Sequence, residues 1–313
     1  MTIVALDALQ LNDLDWSRLD SLGGVVRYDG TAPELVLERA AQAEALLVNK
    51  VKLTREIIDA LPNLRYIGEL ATGYDNIDVA AAKEKGIPVC NVPGYSTDSV
   101  AQLTFALLLE LCHHAGEHSR RVTQEMKWSR QPYYCFWDFP LKELSGRVMG
   151  VVGLGRIGIR VAEIARAFGM KVIAYSRTPK EIDGVSCVDF DTLLRESDVI
   201  SLNCPLTDAT RGLINADSLA KMKKSAFLIN TARGGVIVEE DLRKALDAGI
   251  IAGAAVDVTS TEPPTEDNPL LEAKNIIVTP HIAWATEEAR GRLLATVIDN
   301  LIAWTEGRPQ NVV

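Results

Sequence analysis

The stretch Val151-Val152-Gly153-Leu154-Gly155-Arg156-Ile157-Gly158 places a G-x-G-x-x-G pattern where an apolar run gives way to helical periodicity. Residues 144–153 leave a polar approach and enter a buried strand, while Ile157, Val161, Ile164 and Phe168 recur at helical spacing. A strand, a glycine turn and a helix in that order read as a dinucleotide site. Gly153 permits the tight turn, Gly155 lets the backbone approach a pyrophosphate, and Gly158 lets the helix pack closely on the strand. The helix start at Arg156 and Ile157 then offers free N–H groups to the anion.

Downstream of this turn the pattern continues as β/α alternation. Apolar runs at 148–152, 171–175, 199–203, 226–230, 253–258 and 275–279 read as six strands, with helices at 155–168, 191–196, 216–221 and 239–248. Such alternation predicts an α/β fold with a doubly wound parallel sheet that binds its ligand outside the strand carboxyl ends. Upstream lies a second β/α series. Its strands are expected at 3–6, 24–28, 45–48, 66–69 and 89–91 and its helices at 33–41, 54–60 and 79–84, with Thr54 and Asp78 as caps and Pro33 in a first turn. One long helix is predicted over 98–119.

From 120 to 142 the periodicity disappears, while Trp128, Tyr133, Tyr134, Phe136, Trp137 and Phe139 crowd together. This arm either packs on its own domain or embraces a second subunit, and exposed aromatics favour the interface. The last helix, 286–306, follows the completed second sheet and is expected to return to the first domain. The division predicted is a discontinuous domain of 1–98 and 287–313 and a second of 99–286, with dimerisation helix and arm at 99–143. A small ligand would be closed off from water in the cleft between them.

Composition removes several function classes. Among 313 residues, 33 basic against 42 acidic side chains give a net charge of -9, which argues against a nucleic-acid surface. Met1 to Asp7 reads as a first strand and not as a secretory signal. The apolar run 103–112 is interrupted by Glu110 and followed by His113 and His114, so no membrane span is expected. Cys90, Cys112, Cys135, Cys187 and Cys204 lie without close pairs, consistent with inert thiols in a reducing, cytoplasmic setting.

Three residues follow strand ends and carry the chemistry. His281, in Thr279-Pro280-His281-Ile282-Ala283-Trp284, is a candidate acid/base, and Glu262 would orient its imidazole and offset its charge. Arg233, in Asn230-Thr231-Ala232-Arg233-Gly234-Gly235, offers a rigid fork of donors suited to the carboxylate and carbonyl of a 2-oxoacid. In the first domain, Ala71, Thr72 and Gly73 could grip the same carboxylate through backbone N–H groups. Trp284 could narrow the pocket. No metal is needed.

These motifs, in this order, resemble the D-isomer-specific 2-hydroxyacid dehydrogenases over essentially the whole chain. The likeness rests on Gly153-Leu-Gly-Arg-Ile-Gly158, Asn230-Thr-Ala-Arg-Gly-Gly235, Asp257 with Glu262-Pro263, and Pro280-His281. Phe136-Trp137-Asp138-Phe139-Pro140-Leu141 and His281-Ile-Ala-Trp-Ala-Thr286 are similar to the glycerate dehydrogenase, or hydroxypyruvate reductase, subgroup. The resemblance implies two Rossmann-like domains, the smaller flavodoxin-like and substrate-binding. It implies that His281 is the acid/base, Glu262 its partner and Arg233 the substrate arginine. By the same resemblance, Asp257 and the Ala232 carbonyl hold the nicotinamide carboxamide, Cys204 and Pro205 lie near the adenosine half, and Thr210 and Thr231 join the cofactor site. It further implies a homodimer. Asn203 and Gln102 depart from the residues common in the family at those positions.

After the second strand of the nucleotide-binding series the chain reads Ser176-Arg177-Thr178-Pro179-Lys180, with no carboxylate until Glu181. An NAD site places Asp or Glu there, whereas Arg177, aided by Ser176, Thr178 or Lys180, suits a 2′-phosphate. NADPH is therefore favoured over NADH. The expected reaction is reduction of a small 2-oxoacid to its D-2-hydroxyacid, with hydroxypyruvate to D-glycerate first and glyoxylate to glycolate beside it. A phosphoglycerate dehydrogenase is the enzymatic alternative, disfavoured because the chain ends at Val313 with no room for a C-terminal regulatory domain. A dinucleotide-sensing corepressor-like interaction protein is the non-enzymatic one.

Overall fold

Strands β1 (Thr2–Ala5), β2 (Gly24–Arg27), β3 (Ala45–Val48), β4 (Tyr66–Glu69) and β5 (Val89–Cys90) form one parallel sheet in the order β2-β1-β3-β4-β5. Every residue of β3 and β4 is buried, the mark of a parallel sheet covered on both faces. The connecting helices are α1 (Ser17–Asp20), α2 (Val36–Ala40), α3 (Arg55–Asp59) and α4 (Val79–Glu84). Asp78 caps α4 by accepting from the Ala81 N–H at 2.8 Å. Thr54 occupies the cap position of α3, but its side chain makes no capping bond. The segment expected as one helix at 33–41 begins as a 3-10 turn, Pro33–Leu35, before α2.

The computed structural model describes residues 1–178 and 180–313 and separates into two compact units, Met1–Ser96 with Ala285–Val313, and Thr97–Trp284. In the first unit the C-terminal helix Glu287–Thr305 buries Leu293, Leu294, Val297, Ile298 and Leu301, and Trp304 packs on Tyr66 with ring centroids 5.0 Å apart. Beyond it the chain tail covers the edge of β5: Val313 N–H donates to Val89 O at 3.0 Å and Asn91 N–H to Asn311 O at 3.1 Å.

The second unit holds β6 (Val148–Val152), β7 (Lys171–Tyr175), β8 (Val185–Cys187), β9 (Val199–Leu202), β10 (Phe227–Asn230), β11 (Gly253–Val256) and β12 (Ile276–Val278). They form one parallel sheet ordered β12-β11-β10-β9-β6-β7-β8. The order reverses between β6 and β9, which makes the carboxyl ends of those strands the switch point where ligands bind such sheets. The sequence reading missed β8. It is a three-residue edge strand with no fully buried position, so it carries no apolar run to betray it.

Helices α5 (Thr97–His113), α6 (Ala115–Thr123), α7 (Arg156–Ala167), α8 (Phe190–Glu196), α9 (Ala216–Lys221) and α10 (Glu239–Asp247) complete this unit. The single helix expected over 98–119 is in fact two. His114 adopts a left-handed φ of 48° and breaks it, its ring 4.4 Å from that of Phe139, while the Glu110 carboxylate folds forward to accept from Gly116 N–H. α5 buries Val100, Ala101, Thr104, Phe105, Leu107, Leu108 and Leu111 in the core, whereas α6 buries nothing. α6 instead clamps the arm. Asp138 accepts from Arg121 and Lys127 at 2.5 Å each and donates its own N–H to His118 Nε2, and Arg121 covers Phe139. Tyr133, Tyr134 and Trp137 nevertheless stay 72%, 89% and 65% exposed. Among the described residues, no helix is long and apolar enough to cross a membrane.

Candidate active site

The glycine turn is built around steric exclusions. Gly153 has φ +100°, and a Cβ there would sit 2.9 Å from Asn203 and Cys204 backbone atoms; at Gly158 it would lie 1.9 Å from Gly153 O. These two positions press the turn against β9 and α7 against the turn. At Gly155, by contrast, a Cβ would meet nothing within 4 Å. Gly155 is also the cap of α7 and makes no side-chain cap bond, leaving the first-turn N–H groups of Arg156, Ile157 and Gly158 without one. Open space in front of uncapped N–H groups fits a dinucleotide pyrophosphate.

Around that turn, Lys180 Nζ donates to Leu154 O at 2.8 Å, which ties the segment after β7 to the glycine loop. Ser176 is half-buried, Arg177 and Thr178 are exposed, and among the described residues no carboxylate pairs with Arg177. After β9, Cys204 is buried, which pushes its thiol pKa up. Thr210 Oγ1 donates to Pro205 O at 2.6 Å and closes the turn that follows. Thr231 behaves otherwise than its place in the cofactor set suggests: its hydroxyl lies 3.1 Å from that of Thr104 on α5, inside the core. Only its backbone is left for a ligand.

The Arg233 loop follows β10 and is held by Asn230, a fully buried side chain. Asn230 Oδ1 accepts from Ala232 N–H at 3.0 Å and its Nδ2 donates to Arg233 O at 2.9 Å, so one amide fixes both ends of the turn. Arg233 Nη1 donates to Ala232 O at 2.9 Å, and among the described residues no carboxylate pairs with the guanidinium. Gly234 then brings this loop against the next one. A Cβ at Gly234 would lie 2.0 Å from Thr259 C and 2.4 Å from Ser260 N. Spacing alone could not reveal Asn230 and Gly234 as positioning residues, although both stand inside the quoted motif.

Thr259 and Ser260 begin the loop that carries Glu262. Glu262 Oε2 lies 2.7 Å from His281 Nδ1, and its Oε1 accepts from Thr259 N–H at 3.4 Å. Both side chains are part-buried. With Nδ1 facing a carboxylate it carries the proton of that bond, which leaves Nε2 as the nitrogen that can exchange one with a ligand. His281 itself sits at φ 54°, a left-handed backbone. That conformation is held by Asp257, which is 1% exposed: Oδ1 accepts from Thr279 Oγ1 at 2.6 Å and Ile282 N–H at 2.9 Å, and Oδ2 from Ala283 N–H at 2.8 Å. Asp257 is thus the staple of the histidine loop. One lone pair on Oδ2 is left over for a carboxamide donor. Half-buried Trp284 ends this loop.

In the first unit, the turn after β4 ties back its carbonyls. Ala71 O accepts from Val92 N–H at 2.9 Å and Thr72 O from Asn91 Nδ2 at 2.7 Å, while Thr72 Oγ1 donates to Val92 O. Among the described residues the N–H groups of Ala71, Thr72 and Gly73 have no acceptor, the arrangement an anion-binding turn needs.

Comparison with known proteins supports the same chemistry. A family described as "D-isomer specific 2-hydroxyacid dehydrogenase, NAD binding domain" matches residues 105–283. The chain is 49% identical to a hydroxypyruvate reductase of Blautia hydrogenotrophica, covering 100% of this chain and 99% of that protein. It is 41% identical to a glycerate dehydrogenase of Methylorubrum extorquens over 91% of this chain and 90% of that one. Its structure is similar, with a TM-score of 0.86 and 30% identity over 100% and 96% of the two chains, to an NADPH-dependent glyoxylate/hydroxypyruvate reductase from Sinorhizobium meliloti in complex with NADP and malonate.

Proposed function

The chain belongs to the D-isomer-specific 2-hydroxyacid dehydrogenases, and from that premise we propose that it reduces hydroxypyruvate to D-glycerate, and glyoxylate to glycolate, with NADPH. The observation that carries the reading is the 2.7 Å contact between His281 Nδ1 and Glu262 Oε2. Nicotinamide, when bound, supplies a hydride to C2 of the oxoacid. His281 Nε2 gives the proton to the carbonyl oxygen, and Glu262 offsets the imidazolium charge before the transfer. Arg233 takes the substrate carboxylate and polarises the carbonyl, and in the first unit the backbone N–H groups of Ala71, Thr72 and Gly73 are suited to bind a substrate carboxylate. Glycine-turn N–H groups take the pyrophosphate; Ala232 O and Asp257 are assigned the carboxamide, and Cys204, Pro205, Thr210 and the Thr231 backbone the adenosine side. Half-buried Trp284, three residues from His281, favours small polar substituents.

NADPH is supported by the segment after β7, where Ser176, Arg177 and Thr178 stand in place of a carboxylate and Lys180 is drawn to the glycine loop. Hydroxypyruvate, glyoxylate, pyruvate and phosphohydroxypyruvate, each assayed with NADPH and NADH, test the assignment; a kcat/KM highest for phosphohydroxypyruvate or with NADH overturns it. Arg177→Ala is expected to weaken NADPH about 10-fold while leaving NADH unchanged, since one exposed charge-assisted contact is lost. An unaltered preference in that variant removes Arg177 from the phosphate site. The exposed Tyr133, Tyr134 and Trp137 support a homodimer joined through 99–143, and light scattering that returned a monomer mass of 34.1 kDa would exclude it. Cys90, Cys112 and Cys204 are buried free thiols, which supports a reducing cytoplasmic setting, open to test by cell fractionation.

A further inference from the structure

Glu69, the last residue of β4, is 0% exposed, and among the described residues its Oε1 has no hydrogen-bond partner. Its Oε2 accepts from Asn76 Nδ2 at 3.0 Å, and the same amide donates to Val51 O at 3.1 Å. Glu69 and Asn76 bracket residues 70–75, the segment that contains Ala71, Thr72 and Gly73. One buried carboxyl group therefore ties the start of that turn to its end and, through Val51, to the loop after β3.

The surroundings of Glu69 disfavour its charge. Asp7, just beyond β1, occupies the N–H groups of Asn49 at 2.8 Å, Lys50 and Val51 at 2.9 Å, so the donors of the loop after β3 are taken by a second carboxyl group. Among the described residues, the charged groups that act most on Glu69 are Asp7, Asp75 and Lys50. Burial pushes the carboxyl pKa up to about 9, with Asp7 and Asp75 adding to the rise and the Asn76 bond and Lys50 opposing it. With its pKa there the group is a carboxylic acid at neutral pH and ionises as the pH rises through about 9.

We propose that neutral Glu69 is the positioning residue of the substrate-binding turn, holding Ala71, Thr72 and Gly73 in the shape that presents their N–H groups, and that its ionisation releases that shape. The inference rests on the reading that this turn binds the substrate carboxylate. Ionisation would place a second negative charge beside Asp7, opposed by the Asn76 amide and the Lys50 cation. The strand end cannot hydrate the charge without moving; Tyr74 and Asp75 lie exposed in the turn, and the bonds of Ala71 and Thr72 to Val92 and Asn91 are what such a movement must loosen.

The test uses the full-length protein with its Glu side chains labelled at the carboxyl carbon. In the wild type, the Glu69 carboxyl resonance and the backbone amide resonances of Ala71, Thr72 and Gly73 are expected to titrate with one midpoint. In Glu69→Gln, which mimics the neutral acid, those amides stay fixed. In parallel, KM for glyoxylate in the wild type rises about tenfold one pH unit above that midpoint, while KM of Glu69→Gln stays flat and kcat follows the same profile in both proteins. Turn amides that do not move with the carboxyl overturn the proposal. Should Glu69→Gln fail to fold, coincidence or divergence of the two midpoints in the wild type still decides. If the amides follow Glu69 but KM is flat in both proteins, Glu69 positions the turn and the assignment of substrate to that turn is what falls.

Discussion

His281→Ala is expected to lower kcat for 2-oxoacid reduction by about 10²–10⁴-fold, the range that a positioned general acid contributes, and to leave dinucleotide affinity at its wild-type value. The two halves of this result come from different parts of the second unit. Affinity depends on the glycine turn and the uncapped start of α7, both built by backbone exclusions at Gly153 and Gly158 that do not involve the histidine loop. Turnover depends on a proton reaching the carbonyl oxygen as negative charge develops there, and Nε2 of His281 is the nitrogen left for it once Nδ1 faces Glu262. Because Asp257 staples the backbone at 282 and 283, alanine at 281 should leave the loop in place. A steady-state kcat within a factor of three of wild type would remove His281 from the acid/base role. Glu262→Gln separates orientation from charge. The amide can still accept from Nδ1–H, so a smaller kcat loss than in His281→Ala is expected if its main work is to aim the ring.

How far the sequence disclosed this site varies with the kind of constraint. The glycine turn was legible because only glycine satisfies a φ of +100° at 153 or tolerates an atom 1.9 Å from a Cβ position at 158. The strands flanking it were legible for a similar reason: in a sheet buried on both faces, every residue of β9 or β10 must be apolar or satisfied. β8 escaped because a short edge strand needs no such run. The break at His114 escaped because its left-handed backbone is imposed by tertiary contacts with Phe139 and not by a glycine.

The candidate catalytic groups were legible as residues following strand ends, and Glu262 was expected to face His281, but the residues that bring their loops together were not legible. Nothing in the spacing of 262 and 281 requires that they touch; two loops converge because Gly234 lets the Arg233 loop lie on Thr259 and because Asp257 pulls residues 279–283 inward. Asp257 shows the limit most clearly, since its carboxylate serves the histidine loop first. Thr231 shows another limit, since the motif does not disclose that its hydroxyl is turned into the core toward Thr104. Glu69 was legible only as part of a strand, because an acid at the end of an apolar run reads as an exposed terminus unless its burial is seen.

Arg233→Ala is expected to reduce kcat/KM by about 30- to 5,000-fold, since truncating one partner of a shielded charge-assisted pair costs about 2–5 kcal/mol. The loss should fall on both constants. A carboxylate left without its fork binds more weakly and raises KM, and a carbonyl oxygen without a nearby cation develops its negative charge at higher cost and lowers kcat. The guanidinium is poised for this use: its one intramolecular bond among the described residues goes to the neighbouring Ala232 carbonyl, and no carboxylate of the unit claims it. Asn230 holds the backbone on either side whatever stands at 233, so the fold and dinucleotide binding should survive the substitution. Arg233→Lys sharpens the reading. A lysine keeps the charge but not the planar pair of donors, and if bidentate geometry is what matters it should recover no more than about a tenth of the lost kcat/KM. Full recovery by lysine would mean that charge alone suffices, and wild-type kinetics in Arg233→Ala would mean that the substrate carboxylate is bound elsewhere.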